Sequence, residues 1–131
     1  MKLILLNGPC GIGKTTTAAR LHDSLSLSFL LDIDAQRRYI SHYREYRDES
    51  RGLALDVSRG VVSACLEARR TVIIIDKMIF DSSVLDEFYA IAEGFGAPVY
   101  EITLWAPKEV MMRRAYERGF RDGGLLTPEK Y

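Results

Sequence analysis

The sequence predicts an α/β fold in which short buried strands alternate with helices. Residues 3–7 and 71–76 are brief, almost wholly apolar runs that end in Asn7 and Asp76, a pattern typical of strands buried on both faces of a parallel sheet. Longer segments with helical periodicity separate such runs. A repeated strand–helix alternation favours parallel βα units with helices on both faces of the sheet.

Each element is predicted from a local signal. A helix follows the first glycine-rich stretch, Asp81 precedes another helix as its cap, and Pro107 opens the last helix because proline suits a first helical position. The predicted strands span residues 3–7, 28–34, 71–76 and 98–106. The predicted helices span residues 14–25, 35–51, 53–70, 82–93 and 107–118.

Bulk composition limits the functional classes. The chain has 131 residues, 47% of them apolar, which predicts one compact domain over residues 1–131. Its 18 basic and 18 acidic residues balance, so no global field attracts nucleic acid or a membrane. The apolar start is too short for a secretion signal or a spanning helix. Together with only two cysteines, this predicts a cytoplasmic protein without a membrane partner.

The stretch after the first strand satisfies the Walker A pattern G-x-x-x-x-G-K-[ST] through Gly8, Gly13, Lys14 and Thr15. Glycines let backbone N–H groups surround phosphate oxygens, and the following helix adds its positive end. Lys14 is expected to reach the β- and γ-phosphates of ATP, and the Thr15 hydroxyl to bind Mg²⁺. A chance glycine turn is the alternative. The predicted nucleotide-binding residues are Gly8, Pro9, Cys10, Gly11, Ile12, Gly13, Lys14, Thr15 and Thr16.

Asp76 closes the plainest strand of the sequence, at the sheet edge where parallel folds bind ligands. An acid there is expected to hold Mg²⁺ directly or through water; the alternative is that it only caps the next segment. Lys77 follows where many motor ATPases have a glutamate that activates water, and the chain lacks the guanine-reading N-K-x-D pattern. Both absences favour phosphoryl transfer to a bound acceptor.

With the Walker A loop, the Asp32-Ile33-Asp34 sequence, Asp76 and the arginine-rich "RRAYERGFR", the chain resembles the small P-loop kinases. That group includes shikimate and gluconate kinases, and the chloramphenicol phosphotransferase and zeta-toxin branches, with an AAA-type ATP-binding domain. The resemblance implies a three-layer α/β/α sandwich with a mainly parallel sheet of strand order 2-3-1-4. It also implies a fifth strand, which we expect to be missing from a chain truncated after its lid.

The resemblance also assigns roles to the acids. It implies that Asp34 orients or deprotonates the acceptor hydroxyl and that Asp32 is a companion acid near the metal. For each, the alternative is a carboxylate that caps the next helix.

The same resemblance implies a mobile lid with arginines that close over the phosphates, and Arg114, Arg118 and Arg121 match it. Arg114 and Arg118 are therefore predicted to be catalytic, and Arg113 to lie against the adenine. The alternative is a solvated basic face partly offset by neighbouring acids.

Residues 36–51 contain five arginines and His42 and correspond to the part of the resembling kinases that holds the acceptor. An arginine cluster there could bind a carboxylate or phosphate of the acceptor. The spacing of Tyr39, Tyr43 and Tyr46 favours another interpretation, a helix that packs its tyrosines on the core and points its arginines at water. Arg37 and Arg38, nearest to Asp34, are the best exceptions.

Together these observations predict an ATP- and Mg²⁺-dependent kinase that phosphorylates a hydroxyl group of a small molecule. One alternative is a nucleotide-binding regulatory or toxin-like module without turnover. Another is a kinase acting on nucleic-acid ends, which the balanced charge makes the weaker hypothesis.

Overall fold

The computed structural model describes residues 1–9, 11–77 and 80–117, apart from the side chains of Arg114 and Ala115. Four strands alternate with five helices in this part of the chain. The strands are β1 (Leu3–Asn7), β2 (Phe29–Asp32), β3 (Val72–Ile75) and β4 (Val99–Thr103). The helices are α1 (Lys14–Ser24), α2 (Ile33–Arg37), α3 (Arg47–Glu67), α4 (Ser82–Gly94) and α5 (Lys108–Glu117).

The four strands form one parallel sheet of order β2-β3-β1-β4. Leu3 lies opposite both Val72 of β3 and Val99 of β4, and Phe29 of β2 lies opposite Val72. All carboxyl ends therefore meet at one edge. The predicted fold class and strand order are confirmed.

Alternation along β1 divides the core into two layers. Leu3 and Leu5 pack with residues of α3 and α4 such as Val62 and Phe88. The intervening residues of β1 pack with Ala18 of α1 on the other face. Because every second side chain of a strand points to the same face, β1 is buried on both faces and is apolar up to Asn7. The result is an α/β/α sandwich.

The second strand ends two residues earlier than predicted. β2 stops at Asp32, whose side-chain Oδ1 accepts a hydrogen bond from Ala35 N at 3.1 Å. This is the contact of a helix N-cap, and it starts α2 at Ile33. Asp34 consequently lies in the first turn of a helix rather than at the end of a strand.

The predicted continuous helix over residues 35–51 is wrong. α2 ends at Arg37, a series of turns follows, and α3 begins at Arg47. His42 has a φ of 56°, a left-handed conformation that a right-handed helix cannot contain. The helical spacing of the tyrosines is therefore coincidental, and Tyr39 and Tyr46 are 85% and 56% exposed instead of packing on the core.

The remaining differences are small. β4 ends at Thr103 rather than at residue 106. The predicted cap of α4 is confirmed, because Asp81 Oδ1 accepts a hydrogen bond from Ser83 N at 2.8 Å.

Cys65 packs half-buried against the larger core layer, and this burial raises the pKa of its thiol. Within the described residues, the helices are all too short or too polar to cross a bilayer.

Candidate active site

The loop between β1 and α1 requires glycine at its first position. Gly8 has a φ of 147°, and a Cβ atom built there would lie 2.8 Å from the Leu104 carbonyl oxygen. Both the conformation and the close backbone approach exclude other residues. Gly13 precedes α1 with a φ of 98°, which lets the chain turn directly into the helix. The loop thus presents backbone and a helix N-terminus, the combination that binds phosphate groups.

Asn7 fastens this loop to the chain beyond β3. Its buried side-chain Oδ1 accepts hydrogen bonds from Gly8 N at 2.9 Å and from Phe80 N at 3.0 Å. One amide oxygen therefore holds two segments that are distant in sequence. Sequence reasoning missed this role, although a polar residue that closes an apolar strand was an available signal.

Lys14 is buried at the start of α1. Its Nζ donates to the Gly8 carbonyl oxygen at 2.6 Å and to the Lys77 carbonyl oxygen at 3.3 Å. The ammonium group is thereby held over the loop, between the first turn and the end of the third strand. This is where a loop lysine can meet the terminal phosphates of a nucleotide.

Asp76 follows β3, and its side chain is only 1% exposed. Its Oδ1 accepts a hydrogen bond from Lys77 N at 2.8 Å. Its Oδ2 lies 2.6 Å from Arg51 Nη2 in an ion pair. That approach lacks the alignment of a hydrogen bond, so among the described residues Oδ2 has no hydrogen-bond partner. A buried carboxylate oxygen in this state fits Mg²⁺, which prefers oxygen ligands.

Asp32 at the end of β2 and Asp34 in the first turn of α2 lie at the same edge of the sheet. Burial raises the pKa of Asp32, partly offset by the hydrogen bond from Ala35. Asp34 has carboxylate oxygens 3.7 Å from Arg37 Nη1 and 3.9 Å from Arg38 Nη2. Asp34 therefore forms ion pairs with two arginines of the same segment.

One cleft of about 720 Å³ unites the loop with the acids. Among the predicted site residues, it brings together Lys14, Thr15 and Thr16 with Asp32, Asp34 and Asp76, and the loop contributes Gly11, Ile12 and Gly13. Arg38 lines it as well. Four lining residues were not predicted, namely Thr17, Ile75, Lys77 and Glu117.

The other predicted site residues have different positions. Gly8 and Pro9 form the turn at the end of β1. Arg113 is exposed on α5 and is not among the described residues that line the cleft. The backbone of Arg114 belongs to α5, but its side chain is not described. The described residues also leave out Cys10, Arg118 and Arg121.

Arg37 is held by the start of α3. Its Nε donates to Ser50 Oγ at 3.4 Å, and its guanidinium carbon lies 5.7 Å from the centre of the Tyr43 ring. Ser50 itself donates to the carbonyl oxygens of Tyr43 and Arg47. Sequence reasoning missed Ser50 and Arg51, because nothing in their local pattern distinguishes them from a solvated helix face.

A glycine-rich turn between a central strand and a helix, with acids at the ends of the neighbouring strands, defines a P-loop fold of the kinase type. The sequence matches the AAA domain family over residues 3–127, and the chain belongs to that family. The resemblance to P-loop kinases is therefore confirmed. Among curated protein sequences, none matches this chain.

Solved structures share this fold. A chain of the Pnkp1/Rnl/Hen1 RNA repair complex is similar with a TM-score of 0.75 and 22% identity, over 98% of this chain and 40% of that chain. A gluconokinase from Sinorhizobium meliloti 1021 gives a TM-score of 0.66 and 16% identity, over 92% and 66% of the two chains. The tunicamycin resistance protein of Deinococcus radiodurans gives a TM-score of 0.63 and 25% identity, over 98% of this chain and 75% of that chain. The chain thus spans less than half of the RNA repair protein.

Proposed function

We propose that the protein is an ATP- and Mg²⁺-dependent kinase that transfers the γ-phosphoryl group of ATP to a hydroxyl group of a small molecule. The observation that carries this proposal is the single cleft shared by the Walker A loop, Lys14 and three carboxylates. The Walker A loop and these acids line the same cleft, so a nucleotide bound at the loop and an acceptor bound at Asp34 would be adjacent.

On the nucleotide side, the loop amides and the N-terminus of α1 bind the phosphates, and Lys14 neutralises charge on the β- and γ-phosphates. Thr15 and Asp76 would hold Mg²⁺, with Asp32 nearby. When bound, Mg²⁺ would supply positive charge that offsets the negative charge developing on the phosphate oxygens. Arg114 and Arg118 act from the lid, and Arg113 contacts the adenine.

On the acceptor side, Asp34 takes the proton of the acceptor hydroxyl. The hydroxyl oxygen forms a bond to the γ-phosphorus while the bond from that phosphorus to the β–γ bridging oxygen breaks, and ADP leaves. Arg37 and Arg38 form ion pairs with Asp34 and offer donors to an anionic group on the acceptor. Most of the acceleration comes from positioning and electrostatics.

The test is transfer of radiolabelled γ-phosphate from ATP to a panel of acceptors. The panel contains sugar acids, nucleosides, and aminoglycoside, phenicol and tunicamycin-type antibiotics. We expect label on one acceptor class, and loss of that transfer in Asp34→Asn with ATP binding retained. If ATP is bound while no acceptor is labelled, a nucleotide-binding regulatory module replaces the kinase.

A second candidate, a kinase acting on nucleic-acid ends, is favoured by one observation. Tyr39 and Tyr46 are exposed among arginines on the acceptor side, and exposed aromatic rings beside cations can stack on bases. The similar chain from an RNA repair complex supports the same possibility. Oligonucleotides with 5′-hydroxyl ends therefore belong in the panel. Their binding should weaken steeply with salt and with Tyr39→Ala if this candidate is correct.

A further inference from the structure

The ion pair between Arg51 and Asp76 joins two parts of the molecule with different tasks. Asp76 follows β3 and is assigned to the nucleotide side, whereas Arg51 belongs to the start of α3, which is assigned to the acceptor side. Their side chains approach to 2.6 Å. The guanidinium therefore lies against the carboxylate oxygen that is proposed to serve the metal.

We propose that Arg51 is a displaceable counter-ion for Asp76, which occupies the carboxylate when no divalent cation is present and withdraws when one binds. Arg51 is then a positioning residue that sets the apparent affinity for the metal. This inference rests on the proposed function, because it assumes that Asp76 belongs to a divalent-cation site.

Burial explains why Asp76 needs a substitute cation. Its side chain is 1% exposed, and a carboxylate in such surroundings is unfavourable unless a positive charge accompanies it. Among the described residues, Arg51 supplies this positive charge at Oδ2 when no metal is bound. With metal, both cations would compete for the same oxygen, and their mutual repulsion would oppose joint occupancy.

The two partners differ in their freedom to move. The Arg51 side chain is 34% exposed, so its guanidinium can turn into water at little cost. The neighbouring backbone is anchored, because Ser50 donates to the Tyr43 and Arg47 carbonyl oxygens. Displacement therefore requires a rotation of the Arg51 side chain and no shift of α3.

A second carboxylate is available to the displaced guanidinium. Hydrogen bonds from Ser83 lower the pKa of Asp81, and the charge of Arg51 lowers it further. The positive charge of Arg51 therefore acts on Asp81 as well as on Asp76, and Asp81 is exposed immediately before α4. A guanidinium that leaves Asp76 can remain near this second acid.

The decisive experiment measures binding of Mn²⁺ by electron paramagnetic resonance, with a non-hydrolysable ATP analogue present. If Arg51 occupies Asp76 nine-tenths of the time or more, the apparent dissociation constant is about tenfold or more above its intrinsic value. Arg51→Gln should therefore bind Mn²⁺ about tenfold more tightly than the native chain. Arg59→Gln is the matched control, because Arg59 lies on the same helix and pairs with exposed Asp56 and Glu87.

Unfolding temperature supplies a second measurement. In EDTA, Arg51→Gln should unfold at a lower temperature than the native chain, because Asp76 loses its counter-ion. Saturating Mn²⁺ with the analogue should reduce that difference. A residue with a purely structural role would show the same deficit in both conditions, and that result would overturn the inference.

Should Arg51→Gln fail to fold, the native chain still decides the matter. The ¹⁵Nε chemical shift of Arg51 in the analogue complex should change on adding Mg²⁺, because the guanidinium leaves the carboxylate. An unchanged shift overturns the inference, as does an Arg51→Gln variant that binds Mn²⁺ no more tightly. If the native chain binds no divalent cation at all, the proposed metal site fails too, so the two failures are distinguishable.

Discussion

The phosphate loop and the proposed acceptor side line one cleft, but they are built in different ways. The loop is made of backbone, with Gly8 against the Leu104 carbonyl and Lys14 bonded to the Gly8 carbonyl. The acceptor side consists of side chains on α2 and the start of α3, held by contacts such as Arg37 with Ser50. The loop is therefore confined to one geometry, whereas the acceptor side can change its chemistry by substitution.

This difference suggests a division of labour. Backbone amides bind phosphate whatever the second substrate is, because every nucleoside triphosphate presents the same oxygens. Side chains on an exposed segment determine which acceptor enters, in keeping with the general role of loops on a rigid scaffold. The predictions below test that division, beginning with the largest expected effect.

The largest effect on phosphoryl transfer is expected at Lys14, because both ATP binding and transfer to the acceptor depend on its positive charge. Lys14→Ala should lower kcat/KM on the order of 10³–10⁴-fold, because removing one preorganised donor alone costs about 10²–10³-fold in kcat, and ATP affinity should fall as well. Lys2→Ala, at the opposite end of β1, should be neutral. Steady-state kinetics and nucleotide titration provide the measurements, and native transfer rates in Lys14→Ala would refute the phosphate-loop interpretation.

Asp34 should affect the acceptor side alone. Asp34→Asn is expected to reduce turnover by about 10²–10⁴-fold, as typical of general acid–base groups, while ATP affinity stays nearly native. The exposed Asp86→Asn on α4 is the control. Equal losses of ATP affinity and turnover in Asp34→Asn would contradict the division between the two sides.

Gly8 tests whether the nucleotide side is confined by its backbone. Gly8→Ala should lower the free energy of unfolding by about 2–4 kcal/mol, since the new Cβ meets both an unfavourable φ and the Leu104 carbonyl oxygen. Gly60→Ala lies within α3 with no atom near the added Cβ, and should raise that free energy by about 0.5–1 kcal/mol. Urea denaturation measures both, and similar values for the two variants would show that the loop is not strained.

The smallest effect is expected for the free energy of unfolding at Asp32. Two substitutions there separate the helix cap from the charge of the carboxylate. Asp32→Asn removes a charge whose burial raises the pKa of the carboxyl group, while an amide oxygen can still accept from Ala35 N. In EDTA, the free energy of unfolding should stay within about 0.5 kcal/mol of native. Asp32→Ala, which lacks the cap, should lose about 1 kcal/mol. Equal losses in both variants would make the charge itself the stabilising feature.

The sequence sufficed for much of the fold because the relevant signals are local. A short apolar run, a glycine-rich turn and a helical segment are contiguous between residues 3 and 24, so neighbouring residues alone determine their conformation. The same holds for Asp81, whose cap reaches only two residues ahead. The break between α2 and α3 escaped prediction because a left-handed residue at His42 has no clear signature in this sequence.

The sequence by itself therefore determined the parallel sheet and the loop between β1 and α1. Its resemblance to the P-loop kinases also predicted the strand order. Only the tertiary structure decided that Arg51 meets Asp76, that Asn7 ties Gly8 to Phe80, and that Asp34 lies on a helix beside Arg37. The physical reason is the range of the interactions. Hydrogen bonds and periodicity within a segment leave a pattern in the chain, whereas pairing between side chains distant in sequence depends on how the completed sheet brings its strand ends together.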